Sequence, residues 1–155
     1  MKITDDSRRA MDKKYIVGVV FVDFRKAFDA IPHSILLRKL QSLGAAGNLW
    51  CWIRDYLSGR TQVTTINGCQ SHAMPVTLGV PQGSVLGPTL FSLFCNDLPD
   101  ITEGMDGDPQ LHMYADDVSA PTFDQVASNL NEVLARLHTW CCENCLTPHL
   151  YCARF

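Results

Sequence analysis

A run of seven apolar, mostly β-branched residues, Ile16-Val-Gly-Val-Val-Phe-Val22, stops abruptly at Asp23. A short continuous run of this composition reads as a buried strand and is far too short to span a membrane. A strand end is where a side chain leaves the core and reaches a cleft, so the carboxylate at position 23 draws attention first. The chain has 155 residues, 46% hydrophobic, which is one domain's worth of material with enough apolar surface for a real core. That balance excludes a disordered polyelectrolyte. Residues 1–14 are charged throughout and hold no apolar signal core, so an intracellular protein with reduced thiols is expected, with no membrane partner.

Downstream the apolar spacing becomes helical. Pro32 is placed to open a helix whose face is Leu36, Leu40 and Leu43 and which Gly44 stops. Leu49, Trp52, Ile53, Tyr56 and Leu57 predict a second helix, ended by Gly59. Thr61–Ile66, the pair Asn67-Gly68 and a further extended segment predict a hairpin with a type I′ turn. Gly79-Val-Pro-Gln-Gly-Ser84 predicts a loop, with Ser84 capping a helix that carries Leu86, Leu90, Leu93 and Phe94. Asp97 to Asp108 reads as a solvated connection. Gln110–Ala115 reads as a strand running into Asp116-Asp117, with Val118–Ala120 returning. Thr122-x-x-Gln125 reads as a capping box before the longest helix, striped by Val126, Leu130, Val133, Leu134, Leu137 and Trp140 or Cys141. The order predicts an α+β domain in which an antiparallel sheet is covered by helices.

The net charge of −3 hides a division along the chain. Residues 1–60 carry eleven Lys and Arg against six acids, whereas residues 61–155 carry two against ten. A basic half can face phosphate, and concentrated carboxylates can hold a cation. In the tail, Cys142, Cys145, His149 and Cys152 have the residue types of a zinc knuckle. Their spacing is tighter than in ordinary zinc motifs, and Trp140-Cys141 continues a helical stripe, so buried or incidental thiols are the competing reading.

Asp23 and Asp116-Asp117 each interrupt a strand-like apolar run at its end. A single Asp at a strand end is ordinarily a turn residue. Two adjacent anions on one side repel unless a cation screens them. A hairpin tip bearing that pair near the end of the Asp23 strand would converge three carboxylates, a set suited to hard divalent cations. Two such ions about 3.5–4 Å apart activate a hydroxyl and stabilise a leaving oxygen in phosphoryl transfer.

Three stretches in this order resemble successive motifs of reverse transcriptases: Phe21-Val-Asp-Phe-Arg-Lys-Ala-Phe-Asp29, Gly79-Val-Pro-Gln-Gly-Ser-Val-Leu-Gly-Pro88 and Tyr114-Ala-Asp-Asp117. The nearest likeness is to non-long-terminal-repeat retrotransposons, which Ile31-Pro-His-Ser-Ile-Leu-Leu37 and Trp140-Cys-Cys-Glu-Asn-Cys-Leu-Thr-Pro-His149 fit as well. The resemblance implies a polymerase-like palm over residues 15–155, behind a charged segment 1–14, with fingers and thumb largely absent. It implies RNA-directed DNA polymerisation on an RNA template and a DNA primer with dNTPs. Two Mg²⁺ ions (Mn²⁺ as the alternative) would be held by Asp23, Asp116, Asp117 and the carbonyl of Phe24. Phe28 matches the aromatic gate against a ribose 2′-hydroxyl, and Gln82 and Gly83 match the loop beneath nucleotide and template base. Asp29 reads as a helix-opening residue beside Pro32, Arg25 and Lys26 as surface bases, and His33 and His112 as structural.

The likeness departs at the tail. The family ordinarily supplies a lysine after the Leu-Thr-Pro-His stretch, thought to protonate the leaving pyrophosphate. Here Leu150-Tyr-Cys-Ala-Arg-Phe155 follows, and the guanidinium of Arg154 is a poor proton donor. The competing reading is therefore a truncated, catalytically silent nucleic-acid-binding or interaction module.

Overall fold

The computed structural model describes residues 5, 8–9, 12–13, 18–105, 112–114, 117–122 and 126–154. The chain forms two units, Met1–Arg25 with Cys95–Phe155, and Lys26–Phe94.

In the first unit the apolar run becomes β1 (Gly18–Phe24), one of the two inner strands of a four-stranded sheet. Its neighbours are β7 (Asp117–Thr122) and β8 (Pro148–Arg154), and β6 (His112–Tyr114) lies outside β7. Every pairing is antiparallel. The sequence reading ends this strand at Asp23, and the structure corrects it. The ladder continues through it to Phe24, because β8 pairs with β1 along its whole length. Nothing in the apolar spacing of residues 148–154 announces β8; partnership with β1 makes it a strand.

The long helix α5 (Val126–Glu143) packs on β1. The rings of Phe24 and Trp140 lie 6.0 Å apart at 38°, and Val133, Leu137 and Cys141 are buried with them. Burial of each such side chain contributes roughly 1.5–3 kcal/mol. The choice between Trp140 and Cys141 is moot, since both are buried. The Thr122-x-x-Gln125 capping box falls partly outside the described residues, Thr122 itself ending β7.

The connection after Cys95 corrects another expectation. Leu98–Thr102 is a 3-10 helix with Leu98 fully buried, and Met105 is buried against Val133. Trp140 Nε1 donates to Asp97 Oδ1 at 3.1 Å, and Arg136 donates to the carbonyls of Ile101 and Glu103 at 3.0 Å. One tryptophan and one arginine thus tie the segment to α5. Residues 106–108 lie outside the described part.

The end of α5 accounts for the cysteine spacing in the tail. Cys145 has φ +56°, Leu146 N–H donates to Cys141 O at 3.0 Å, and Cys145 N–H donates to Cys142 O at 3.3 Å. This is the double hydrogen bond of a Schellman stop, with Cys145 at the left-handed position that usually holds glycine. Cys142-x-x-Cys145 is the spacing of a helix terminus, and His149 and Cys152 lie on β8. Among the described residues no group of three His, Cys, Asp or Glu could hold a metal ion.

The second unit begins with a four-residue helix, α1 (Ala27–Ala30), followed by α2 (His33–Ser42) and α3 (Gly47–Leu57). Helix α4 (Leu86–Phe94) packs on α2, burying Leu36 and Leu40 on one side and Leu90, Phe91 and Phe94 on the other. Lys39 Nζ donates to Phe94 O at 2.8 Å and lies 4.7 Å from that ring's centre. Ser84 Oγ accepts the amide of Gly87 at 3.0 Å, capping α4 as its position predicts.

The stripe predicted for α3 is only half correct. Ile53 and Leu57 are buried, but Leu49 and Trp52 are each 54% exposed, and Leu43 after α2 is exposed too. Helical spacing specifies a face, not what covers it. Between α3 and the loop, β2 (Thr61–Gln62) pairs with β5 (Met74–Pro75), and β3 (Thr65–Ile66) with β4 (Cys69–Gln70). Asn67 (φ +49°) and Gly68 (φ +80°) supply the two left-handed positions of the type I′ turn. No helix of the described residues is long and apolar enough to cross a membrane.

Candidate active site

Two of the three aspartate positions share one rung of the sheet. Asp23 pairs in register with Asp117 on β7 and with His149 on β8. Arg25 N–H donates to Thr147 O at 3.0 Å, which fixes the alternation of the ladder. Asp23 therefore exchanges its backbone bonds with His149, and Asp23–Asp117 is the non-hydrogen-bonded pair, whose Cα atoms approach to about 4.5 Å. Like charges directly opposite on neighbouring strands are destabilising. Carboxylate is the residue type that hard divalent cations take as ligands. Asp23 is half-buried. Asp116 follows β6 and precedes Asp117, outside the described residues.

The ring of Phe24 is buried against Trp140, while by the same alternation its carbonyl turns away from β8 toward the β7 side. That is the direction in which Asp117 lies in the ladder.

Phe28, Gln82 and Gly83 come together in the second unit. They line a cavity of about 520 Å³ with Pro81, Val85 and Pro88. The Phe28 ring is half-buried, 4.8 Å from the ring of Phe91, so it packs on the core and borders the cavity with the same side chain. Gly83 has φ +76°, and a methyl group in place of its hydrogen would meet nothing within 4 Å, so conformation rather than space requires glycine there.

Asp29, Gly79 and His33, read from sequence as a helix-opening residue, part of a loop and a structural histidine, hold this arrangement. Asp29 Oδ1 accepts a hydrogen bond from Gln82 Nε2 at 3.0 Å, fixing which way the glutamine amide points. Asp29 is thus more than a helix-opening residue. Gly79 packs so closely that a Cβ would lie 2.7 Å from Asp29 Cα and Phe28 O, and its φ of +81° also demands glycine. Its amide donates to Ile31 O at 2.8 Å, and Val80 N–H donates to Phe28 O at 2.7 Å. His33 Nε2 lies 2.7 Å from Gly79 O; a carbonyl only accepts, so the proton is on Nε2. The first and second motifs, about fifty residues apart, are stitched together by these bonds.

A second cavity of about 700 Å³ in the same unit is lined by Lys26, Asp29, Arg60, Gln62, Pro75 and Gln82, among others. Lys26 sits at φ +52°, preceding α1.

Residues 1–148 match the family described as Reverse transcriptase (RNA-dependent DNA polymerase). The RNA-directed DNA polymerase from mobile element jockey of Drosophila funebris is 34% identical over 146 residues, covering 90% of this chain and 16% of that protein. A probable RNA-directed DNA polymerase from transposon BS of Drosophila melanogaster is likewise 34% identical, over 147 residues, with the same coverage. This chain therefore spans about one sixth of the length of these relatives. In fold it is similar to an apo telomerase from Candida tropicalis truncated from its C-terminal domain, with a TM-score of 0.71 at 13% identity over 96% of this chain and 33% of the other. The chain belongs to the reverse transcriptase family, in its non-long-terminal-repeat retrotransposon branch, and its α+β fold is polymerase-like.

Proposed function

We propose that residues 15–155 are the palm of an RNA-directed DNA polymerase that transfers a deoxynucleotide to a primer 3′-hydroxyl on an RNA template. The observation that carries this reading is the register of Asp23 with Asp117 across β1 and β7. Asp23, Asp116 and Asp117, with the carbonyl of Phe24, would hold two divalent cations. Such ions, once bound, would supply charge neutralisation for phosphoryl transfer and activation of the primer hydroxyl.

The chain's own part is positioning. The ladder bonds of β1 to β8 keep the backbone at Asp23 from drifting as charge is redistributed. Phe28, braced by Phe91, presents a ring edge against which a deoxyribose packs and a 2′-hydroxyl clashes. Gln82, oriented by Asp29, offers amide hydrogen-bonding groups to the incoming nucleotide. Gly83 lets the strand approach the backbone closely.

A second reading, a catalytically silent nucleic-acid-binding module, is supported by β8, whose sequence Pro148–Arg154 offers Arg154 but no lysine. The two readings part in one assay: an annealed RNA template and DNA primer, dNTPs and Mg²⁺, with the chain or its Asp23→Asn variant. Extension by the chain that the substitution removes supports the polymerase. Absence of extension by the parent chain, with Mg²⁺ binding retained, favours the silent module.

A further inference from the structure

Helix α5 ends in a pair of exposed thiols. The stop buries Cys141, Asn144 and Leu146 and leaves Cys142 and Cys145 in solvent. Asn144 anchors it: its backbone amide and its Nδ2 both donate to Trp140 O, at 3.0 and 2.8 Å. Cys145 N–H donates to Cys142 O at 3.3 Å, so residues 142 to 145 close a turn whose end Cα atoms lie within about 7 Å. A disulfide spans Cα atoms roughly 4.4–6.8 Å apart. The backbone of the stop therefore brings the two cysteines to bridging range.

One thiol of the pair has a base beside it. His138 precedes Cys142 by one helical turn, and Cys142 Sγ lies 3.8 Å from its Nδ1 and 3.9 Å from its Nε2. A neutral imidazole carries its proton on one nitrogen and a lone pair on the other. With both nitrogens in reach, either tautomer offers the thiol an acceptor. The carbonyl end of a helix by itself disfavours a thiolate, so the imidazole decides whether this thiol ionises readily. Cys69, exposed on β4, is the natural contrast: it has no imidazole in contact among the described residues.

We propose that Cys142 and Cys145 form a redox-active dithiol, with Cys142 as the attacking sulfur, His138 as its base, Cys145 as the resolving thiol and a small-molecule disulfide of the glutathione type as oxidant. In the first step His138 takes the Cys142 proton, the sulfur bonds to one sulfur of the oxidant, and the oxidant's S–S bond breaks. The departing thiolate takes the proton back from the imidazolium. In the second step the Cys145 sulfur attacks the Cys142 sulfur, and the second small thiol leaves with the Cys145 proton. The two cysteines have lost two electrons and two protons, and one disulfide has become two thiols. The bridge clips the last turn of α5 to the residues that lead into β8. There Thr147 O accepts Arg25 N–H, and His149 pairs in register with Asp23. The chemistry needs no metal, nucleic acid or sheet carboxylate, so it goes beyond polymerase activity and holds equally for a silent module.

The test incubates the 155-residue chain with glutathione disulfide and maps its cysteines by peptide mass spectrometry after alkylation. The parent chain is expected to yield a Cys142–Cys145 bridge, seen as a loss of two hydrogens from the peptide that holds both. Cys145→Ser is expected to stop at the mixed disulfide, with glutathione held on Cys142. In that background His138→Gln should slow adduct formation at Cys142 about threefold, the net left when a larger thiolate share is set against weaker nucleophilicity. The rate at Cys69 should not change. All three altered or reacting side chains at the helix end are exposed, and circular dichroism checks that the variants are folded. Adduct formation no faster at Cys142 than at Cys69, an unchanged rate in His138→Gln, or a parent chain in which Cys142 keeps its adduct or pairs elsewhere overturns the proposal.

Discussion

The two units of this chain solve different electrostatic problems. The unit built on the sheet holds eight Lys and Arg against fourteen acids, a net of −6, and it sets Asp23 in register with Asp117 between β1 and β7. The unit Lys26–Phe94 has a net of +3 and spreads its cations over helices and loop. In the first, backbone ladders bring residues about ninety positions apart into register. In the second, side-chain and backbone bonds between Phe28–Ile31 and Gly79–Gln82 shape cavities without needing an ion. A charge division taken at residue 60 blurs this contrast, because Lys26 to Arg60 belong with the uncharged loop that follows them, not with Asp23.

If the comparison is right, damage to each unit has a different signature. The largest effect is expected from Asp23→Asn. Primer extension should fall by about 10²–10³-fold or more, the loss typical of removing one preorganised electrostatic contribution, while oligonucleotide binding in EDTA is unchanged. An Asn variant with near-parental extension would separate the carboxylate rung from the chemistry. Next comes Gly79→Ala, for which both clash and left-handed backbone predict a loss of about 2–5 kcal/mol. Gly83→Ala, with the same backbone sign but open space, should lose about 1 kcal/mol. Coinciding urea titrations of the two variants would break that distinction.

Smaller effects sharpen the picture. Asp29→Ala frees the Gln82 amide and should raise the KM for dNTPs about twofold to tenfold, the range of one hydrogen bond, with kcat less affected. Steady-state kinetics read this directly, and a change confined to kcat would contradict a positioning role. Cys141 gives the smallest signal. Burial, and then the neighbouring Cys142, pushes its thiol up to about 12. At pH 8 it should resist thiol reagents while the exposed Cys142 and Cys145 react. An unfolded thiol ionises near about 8.5, so above that pH the unfolded chain binds fewer protons than the folded one. Stability should then decline as pH rises toward 12. Rapid labelling of Cys141 at pH 8 would show that the helix end opens readily.

Much of this was legible before the structure. Ser84 as a cap and Asn67-Gly68 as a type I′ turn depend on a few neighbouring residues, and both are found where expected. The Asp29–Gln82 bond was not legible, because its partners are 53 positions apart and each has an ordinary local reading. The exposure of Trp52 was hidden for a related reason: periodicity places it on the apolar stripe with Ile53, yet the neighbours that bury Ile53 do not reach it.

Most of the elements, and the family, were set by the order of residues, since local propensity and three ordered motifs act over short spans of chain. Folding in three dimensions was needed for β8 to exist and for Asp23 to continue rather than end its strand. It also put Asp117 and His149 on Asp23's rung and sorted basic and acidic residues into separate units. Those are consequences of hydrogen bonds and contacts between distant segments. No window of neighbouring residues contains them.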